Sequence, residues 1–343
     1  MTAVQQAIPA PSGLMKAVFS HLGSAVIRLV DIPKTIDRHV LVKTTYSGIS
    51  NGTERLLLSE RHETPISLGY SACGTVVETG AEADHVSPGD LVAVYGAPYV
   101  RHAEYVLVPR HLVARVPAGV DPKEAAFVGL GAIAIHALRQ ARLQFGERVA
   151  IVGMGILGQI MAQIANAAAY DTVAYDLQEE RCELFRSMCG GKAAATPEAL
   201  APLVGAGFDA VLLAANGKNE GLIDNALDWI RDKGRVVIVG DLEMKFSREK
   251  MFRKEADILI SRAGGPGRYD AGYERGGTDY PSGFVRWTEG RNMGEYLRLL
   301  ETKRISVAPL VTEEVSLGEL DRAFEALFSP RNSTLGTLIS YGS

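Results

Sequence analysis

The chain has 343 residues, 47% of them apolar and 22% charged, enough apolar material for one large or two medium buried cores. A formal net charge of −4 excludes the basic surface that nucleic acid or an anionic membrane selects, and no apolar run reaches the ~20 residues that span a bilayer. The opening MTAVQQAIPAPSGL lacks the basic flank and apolar stretch of a signal peptide, so it reads as a frayed tail and the protein is expected in the cytoplasm.

From residue 15 to about 120 the chain is a series of short strands broken by Gly and Pro: MKAVFS, HVLVKTTYSGIS, ACGTVVETG, DLVAVYG, AEYVLVP and LVARVP. That turn-rich texture predicts a partly open β-barrel. The pattern changes near 123. DPKEAAFVGLGAIAIHALRQA opens on an acidic cap and continues as an Ala-rich helix. Strands and helices then alternate. RVAIVG, TVAYD, FDAVLLAA, GRVVIVGD and DILISRA read as strands; ILGQIMAQIANAAA, EERCELFRSMC and EGLIDNALDWIRD read as helices. Apolar strands separated by amphipathic helices predict a parallel sheet covered on both faces. From 264 a Gly-, Tyr- and Arg-rich stretch leads into a helix, MGEYLRLLETKR, and a final segment, LVTEEVSLGELDRAFEALF. The expected division is therefore 1–122, 123–263 and 264–343. The three cysteines, Cys73, Cys182 and Cys189, form no C-x-x-C pair. An odd count argues against a disulfide framework, and packing in a reducing compartment accounts for them.

The strongest chemical signal is VAIVGMGILGQIMAQIA. Gly153, Gly155 and Gly158 form G-x-G-x-x-G between an apolar strand and a helix, the context in which this pattern binds dinucleotides. Gly153 permits the tight turn, Gly155 leaves the pyrophosphate unobstructed, and Gly158 lets the helix approach the strand. The helix start, with Ile156 and Leu157 in its first turn, offers N–H groups and a positive dipole end to phosphates. Asp176 ends the next strand, where a carboxylate accepts from adenosine ribose hydroxyls and repels a 2′-phosphate, favouring NAD over NADP; its alternative is a helix cap. Arg181 is a candidate phosphate contact. Ligands bind beyond the carboxyl ends of parallel strands, so Ala215, Asn216, Gly240 and Asp241 are further cofactor candidates or plain strand-to-loop transitions.

The order of parts resembles the medium-chain dehydrogenase/reductase superfamily from Met15 to Leu327. SGISNGTE, LGYSACGTVVETG, SPGDLV and HAEYVLVP are similar to its GroES-like half; GERVAIVGMGILG is similar to its Rossmann half. The resemblance implies an α/β fold, a doubly wound Rossmann sheet plus a GroES-like β-barrel domain, with 1–122 and 264–343 in the catalytic domain and 123–263 binding NAD. It also implies a homodimer. Zinc-dependent members carry ligands where this chain has Ser50, Tyr70 and Leu130, which do not make the N, S or O set that tetrahedral zinc needs. No metal is therefore expected. SGISNGTERLLL, GPGRYD and DYPSGFVRWTEGRN resemble a zinc-lacking branch of bacterial sugar, cyclitol and secondary-metabolite dehydrogenases and, over a shorter span, the bacteriochlorophyllide dehydrogenases. That branch implies hydride exchange between a secondary alcohol and a ketone on a polar small molecule. Two alternatives stay open: an NADPH-dependent quinone or enone reductase, and a dinucleotide-binding protein without catalysis.

Without zinc, side chains must polarise the substrate oxygen. Tyr70 stands where a zinc-ligating His would project, as donor to an alkoxide or, with a lowered pKa, as acceptor. Thr53 and Glu54 fall in the loop that carries the proton relay in zinc-containing relatives; Glu54 is a base or pairs with Arg55 or another cation. Asn51 binds substrate or merely turns the chain, and Ser50 touches substrate or fills space. His136 binds substrate or packs in its helix; His102 belongs to the barrel rim. Arg268, Tyr269, Tyr273, Tyr280, Arg286 and Trp287 stack on and clamp a polyhydroxylated or anionic substrate, or form a dimer contact.

Overall fold

The computed structural model describes residues 11–217, 221–329 and 334–342. Residues 1–10, most of the expected tail, lie outside them. The chain divides into two compact units.

The first unit holds residues up to 129 with 267–286 and 313–343. Leu14–His21 pairs antiparallel with Ser24–Asp31 and with Ile66–Ser67. A seven-stranded sheet runs through Val311–Ser316, Gly336–Ser340, His39–Gly48, Ser71–Thr79, Leu91–Tyr95 and Val113–Arg115, with Tyr105–Pro109 also paired to His39–Gly48. Alternating residues Val40, Val42, Ala72, Val92, Val94, Val106 and Val108 meet in one core, as the period of two in these strands dictates. The Ser24–Asp31 strand escaped the sequence reading. It is mostly exposed, and its hairpin turns on Leu22 and Gly23, both at positive φ; a leucine there carries no turn signal.

The second unit holds 130–266 and 287–312. Its six strands lie in the order Lys192–Ala194, Asp171–Tyr175, Arg148–Val152, Phe208–Leu213, Ile230–Ile238, Asp257–Ile260, all parallel. The first strand in the chain is central, and strand order reverses beside it, between Arg148–Val152 and Phe208–Leu213. That is the doubly wound topology, with its ligand crevice at the carboxyl ends of those two strands. Ala150, Val152, Val211 and Leu213 are buried because helices cover the sheet.

Two expected boundaries shift. The divisions fall at 129/130 and 266/267, not at 122/123 and 263/264, and residues 287–312 join the Rossmann unit rather than the barrel. The reason is packing. Helix Glu289–Glu301 buries Met293, Tyr296 and Leu297, a Cβ on Gly131 would come within 2.1 Å of the Tyr296 ring, and Asn292 Nδ2 donates to Gly264 O at 2.8 Å. The helix expected through Asp232 ends at Trp229, since Ile230 already pairs with Phe208.

Candidate active site

In the second unit, Gly153 has φ +92°, and a Cβ there would lie 2.7 Å from Ala215 N. A Cβ on Gly158 would lie 1.8 Å from Gly153 O. Turn geometry and close packing therefore demand these two glycines. Gly155 differs. Its backbone is extended, with φ −65° and ψ −178°, and a Cβ would meet nothing within 4 Å. No protein contact requires glycine there, and the space in front of the helix start is open. The helix Ile156–Ala167 has no side-chain cap, and Ile156 is buried while Leu157 is half-buried.

Asp176 is 9% exposed. Its Oδ2 accepts from Met154 N at 2.6 Å and its Oδ1 from Gln178 N at 2.9 Å, so the carboxylate ties the glycine loop to the neighbouring strand end. Arg181 Nη1 lies 3.5 Å from the same carboxylate. Asn216 Oδ1 accepts from Asp241 N at 2.7 Å, and Gly217 N donates to Asp241 O at 3.0 Å. A Cβ on Gly240 would lie 2.0 Å from Ala215 O. Ala215, Asn216, Gly240 and Asp241 thus converge with Gly153 at the carboxyl ends of three adjacent strands, with Asn216 and Asp241 exposed.

In the first unit, Ser50 is the N-cap of helix Asn51–Ser59. Asn51–Gly52 therefore starts a helix rather than a turn, and Thr53 and Glu54 lie in that helix rather than in a loop. Ser50's hydroxyl makes no capping bond; it accepts from the Tyr70 hydroxyl at 2.7 Å. Tyr95 meets the Tyr70 ring edge-on at 5.9 Å. Burial pushes the Tyr70 phenol up to about 12, against the opposing bond to Ser50. That direction favours the protonated phenol at neutral pH over the lowered pKa that a resting phenolate base needs.

Glu54 is buried, and neither Arg55 nor solvent partners it. Its Oε1 accepts from Ser50 N at 2.8 Å and its Oε2 lies 2.9 Å from His102 Nε2. His102 Nδ1 lies 2.7 Å from Ser47 Oγ, which in turn lies 2.9 Å from the Tyr341 hydroxyl. The free-base reading of Glu54 and the rim reading of His102 both give way to this closed cluster. Asn51 Nδ2 donates to Leu335 O at 3.1 Å, which anchors the helix start; its Oδ1 is buried with no partner. Ser47 and Tyr341 escaped the sequence reading, for nothing local marks residues 294 apart as neighbours.

The Gly-, Tyr- and Arg-rich stretch divides in two. Arg268 is buried, donates to Glu274 and to Ala97 O, and covers the Tyr269 ring at 4.1 Å. Tyr273 is buried between His111, 4.5 Å away, and Tyr280, 5.6 Å away; Tyr280 donates to Asp270. These contacts correct the substrate-binding expectation for Arg268 and Tyr273, which hold the loop's own shape. Glu274→Ala removes one charged partner of the buried Arg268 guanidinium, which keeps Ala97 O, and is expected to cost about 1.5 to 3 kcal/mol in urea unfolding. Tyr269 and Arg286 stay exposed. Trp287, in the second unit, lies 3.6 Å under the Arg139 guanidinium and remains 37% exposed. His136 is likewise corrected to packing. It is buried beneath Gly265, whose Cβ would lie 3.0 Å from its Nδ1, and burial pushes its pKa down to about 4.

Residues 36–138 match the alcohol dehydrogenase GroES-like domain. Over 239 residues the chain is 30% identical to L-galactonate-5-dehydrogenase of Escherichia coli, spanning 59% of this chain and 68% of that protein. It is 23% identical to a sorbitol dehydrogenase of Halalkalibacterium halodurans, spanning 84% and 88%. The chain belongs to the medium-chain dehydrogenase/reductase superfamily. Within it, the protein is an alcohol dehydrogenase-like oxidoreductase. The superfamily fold is shared by a putative zinc-binding dehydrogenase of Sinorhizobium meliloti bound to NADP, at a TM-score of 0.75 and 23% identity, covering 96% of this chain and 100% of that one. No helix among the described residues is long and apolar enough to cross a membrane.

Proposed function

We propose that this protein interconverts a secondary alcohol and a ketone on a polar, polyhydroxylated substrate, using NAD(H) and no zinc. The observation that carries this reading is the Ser50–Tyr70 hydroxyl pair, which stands at two positions that the resemblance assigns to zinc ligands. A serine hydroxyl committed to a phenol, together with Leu130, is not a donor set for tetrahedral zinc. No group of three or more His, Cys, Asp or Glu converges among the described residues.

The dinucleotide, when bound, supplies or accepts the hydride. The amides that open helix Ile156–Ala167 hold its pyrophosphate, Gly155 leaves the room, and Asp176 accepts from its ribose. Tyr70 keeps its proton across the neutral range and donates it to the substrate oxygen as negative charge develops there; Ser50 fixes the phenol. In the oxidative direction the phenol must first lose that proton. The folded pKa is raised, so oxidation is expected to climb with pH from neutrality towards about 12, while ketone reduction stays flat below 10. A pH–rate profile in both directions checks this.

The relatives named for sorbitol and L-galactonate support a polyhydroxylated substrate. The carboxylate of Asp176 supports NAD, because a 2′-phosphate would meet its charge. Asp176→Ala is expected to weaken NAD binding by about 10- to 100-fold, the loss of charge-assisted hydrogen bonds, and to narrow the preference against NADP; calorimetry with both nucleotides reads it. The test of the whole reading is turnover of a panel containing sorbitol, L-galactonate and the corresponding ketones, with NAD(H), by protein dialysed against a chelator and assayed for metal. Stoichiometric zinc lost together with activity overturns it.

A further inference from the structure

We infer that Glu54 and His102 are a buried positioning pair that fixes the Ser50–Tyr70 hydroxyls for proton transfer. The inference rests on the reading of Tyr70 given above. It starts from an unusual helix cap. A serine at an N-cap ordinarily spends its hydroxyl on the N–H groups of its own helix. Ser50 does not. Instead Glu54, four residues on, turns back so that its Oε1 accepts from Ser50 N at 2.8 Å. The carboxylate does from the fourth helical position what a capping-box glutamate does from the third, and the serine half of that motif is missing. The main chain of Ser50 is held by the carboxylate, and its hydroxyl is left for Tyr70 at 2.7 Å.

His102 secures the other side. Its Nε2 holds Glu54 Oε2 at 2.9 Å, so both carboxylate oxygens are engaged in a buried place where an unpaired charge would be costly. Its main chain is tied to the segment that carries Tyr70, since His102 N donates to Leu68 O at 2.8 Å. Gly69, directly before Tyr70, has φ +90°, and a Cβ there would lie 2.7 Å from both His102 N and His102 Nδ1. One pair of side chains thus spans the two segments whose hydroxyls must meet. The Ser47–His102–Glu54 run has the connectivity of a nucleophilic triad, but Ser47 is buried and its hydroxyl is shared between His102 and Tyr341, so no substrate reaches it.

A positioning carboxylate and a general base respond oppositely to two conservative changes. Glu54→Gln keeps the length of the side chain. Its amide oxygen still accepts from Ser50 N, and its NH2 donates to His102 Nε2 once the imidazole proton moves to Nδ1 and is donated to Ser47 Oγ. Glu54→Asp keeps the charge but withdraws it from Ser50 by one methylene. We expect Glu54→Asp to lower kcat by about 100-fold, the cost of ångström-scale misplacement, with the KM for NAD unmoved, and Glu54→Gln to stay within about 10-fold of wild type. The assay uses full-length protein, NAD and the fastest polyol of the panel above, with Tyr70→Phe measured alongside. If Tyr70→Phe is inactive and Glu54→Gln is as damaged as Glu54→Asp or more so, the positioning role is overturned and the Tyr70 reading stands. If Tyr70→Phe turns over like wild type, the Tyr70 reading fails and this inference with it.

Discussion

Tyr70→Phe is expected to lower kcat for ketone reduction by about 100- to 10,000-fold, the range that a positioned general acid contributes. The variant loses one hydroxyl and keeps the ring, so its edge-on contact with Tyr95 survives. The cost to folding is the Tyr70–Ser50 hydrogen bond, about 1 kcal/mol. The proposed dinucleotide site is built from residues of the other unit, so the dissociation constant for NAD should not move. A large fall in kcat with unchanged cofactor affinity and near-normal unfolding is thus the signature, read by steady-state kinetics, fluorescence titration and urea denaturation. Wild-type turnover in this variant would leave the phenol as a packing residue.

The second large effect separates two glycines of one motif. Gly155→Val should fold as the wild type does, because its backbone is at an ordinary φ and a Cβ meets nothing within 4 Å. The added side chain occupies the approach to the helix amides. Losing two charge-assisted amide contacts costs about 3 kcal/mol, or roughly 100-fold in affinity. Gly158→Ala should do the reverse. Its Cβ would sit 1.8 Å from Gly153 O, a backbone clash that displaces the helix and costs at least about 3 kcal/mol of stability, the upper end for overpacked cores. Calorimetric titration with NAD and urea unfolding of both variants separate binding from folding. Unfolding of Gly155→Val at wild-type denaturant concentration with undiminished NAD binding would remove the pyrophosphate from this loop.

Elements with a strong local period were legible in the chain. RVAIVG, TVAYD, FDAVLLAA and GRVVIVGD are mostly apolar because both of their faces are covered, and the glycine spacing after the first of them marks the proposed dinucleotide site. Short or exposed elements were not. Lys192–Ala194 has three residues at a sheet edge, too few for a period to register, and Ser24–Asp31 keeps most of its side chains in water.

The same division runs through the candidate site. The glycine spacing and the residue types at Ser50, Tyr70 and Leu130 were legible in the sequence, because they are written in residue identity and short spacing. Only the tertiary structure decided what each polar residue is bonded to. Glu54 reads in the chain as a base or as the partner of Arg55 or another cation; it becomes a buried strut because His102 and Ser50 N enclose it. Arg268 and Tyr273 read as substrate clamps; they are consumed by Glu274, Ala97, His111 and Tyr280. A side chain's role follows from its desolvation and its partners, and partners brought together across the chain, as Ser47 and Tyr341 are, leave no local pattern to read.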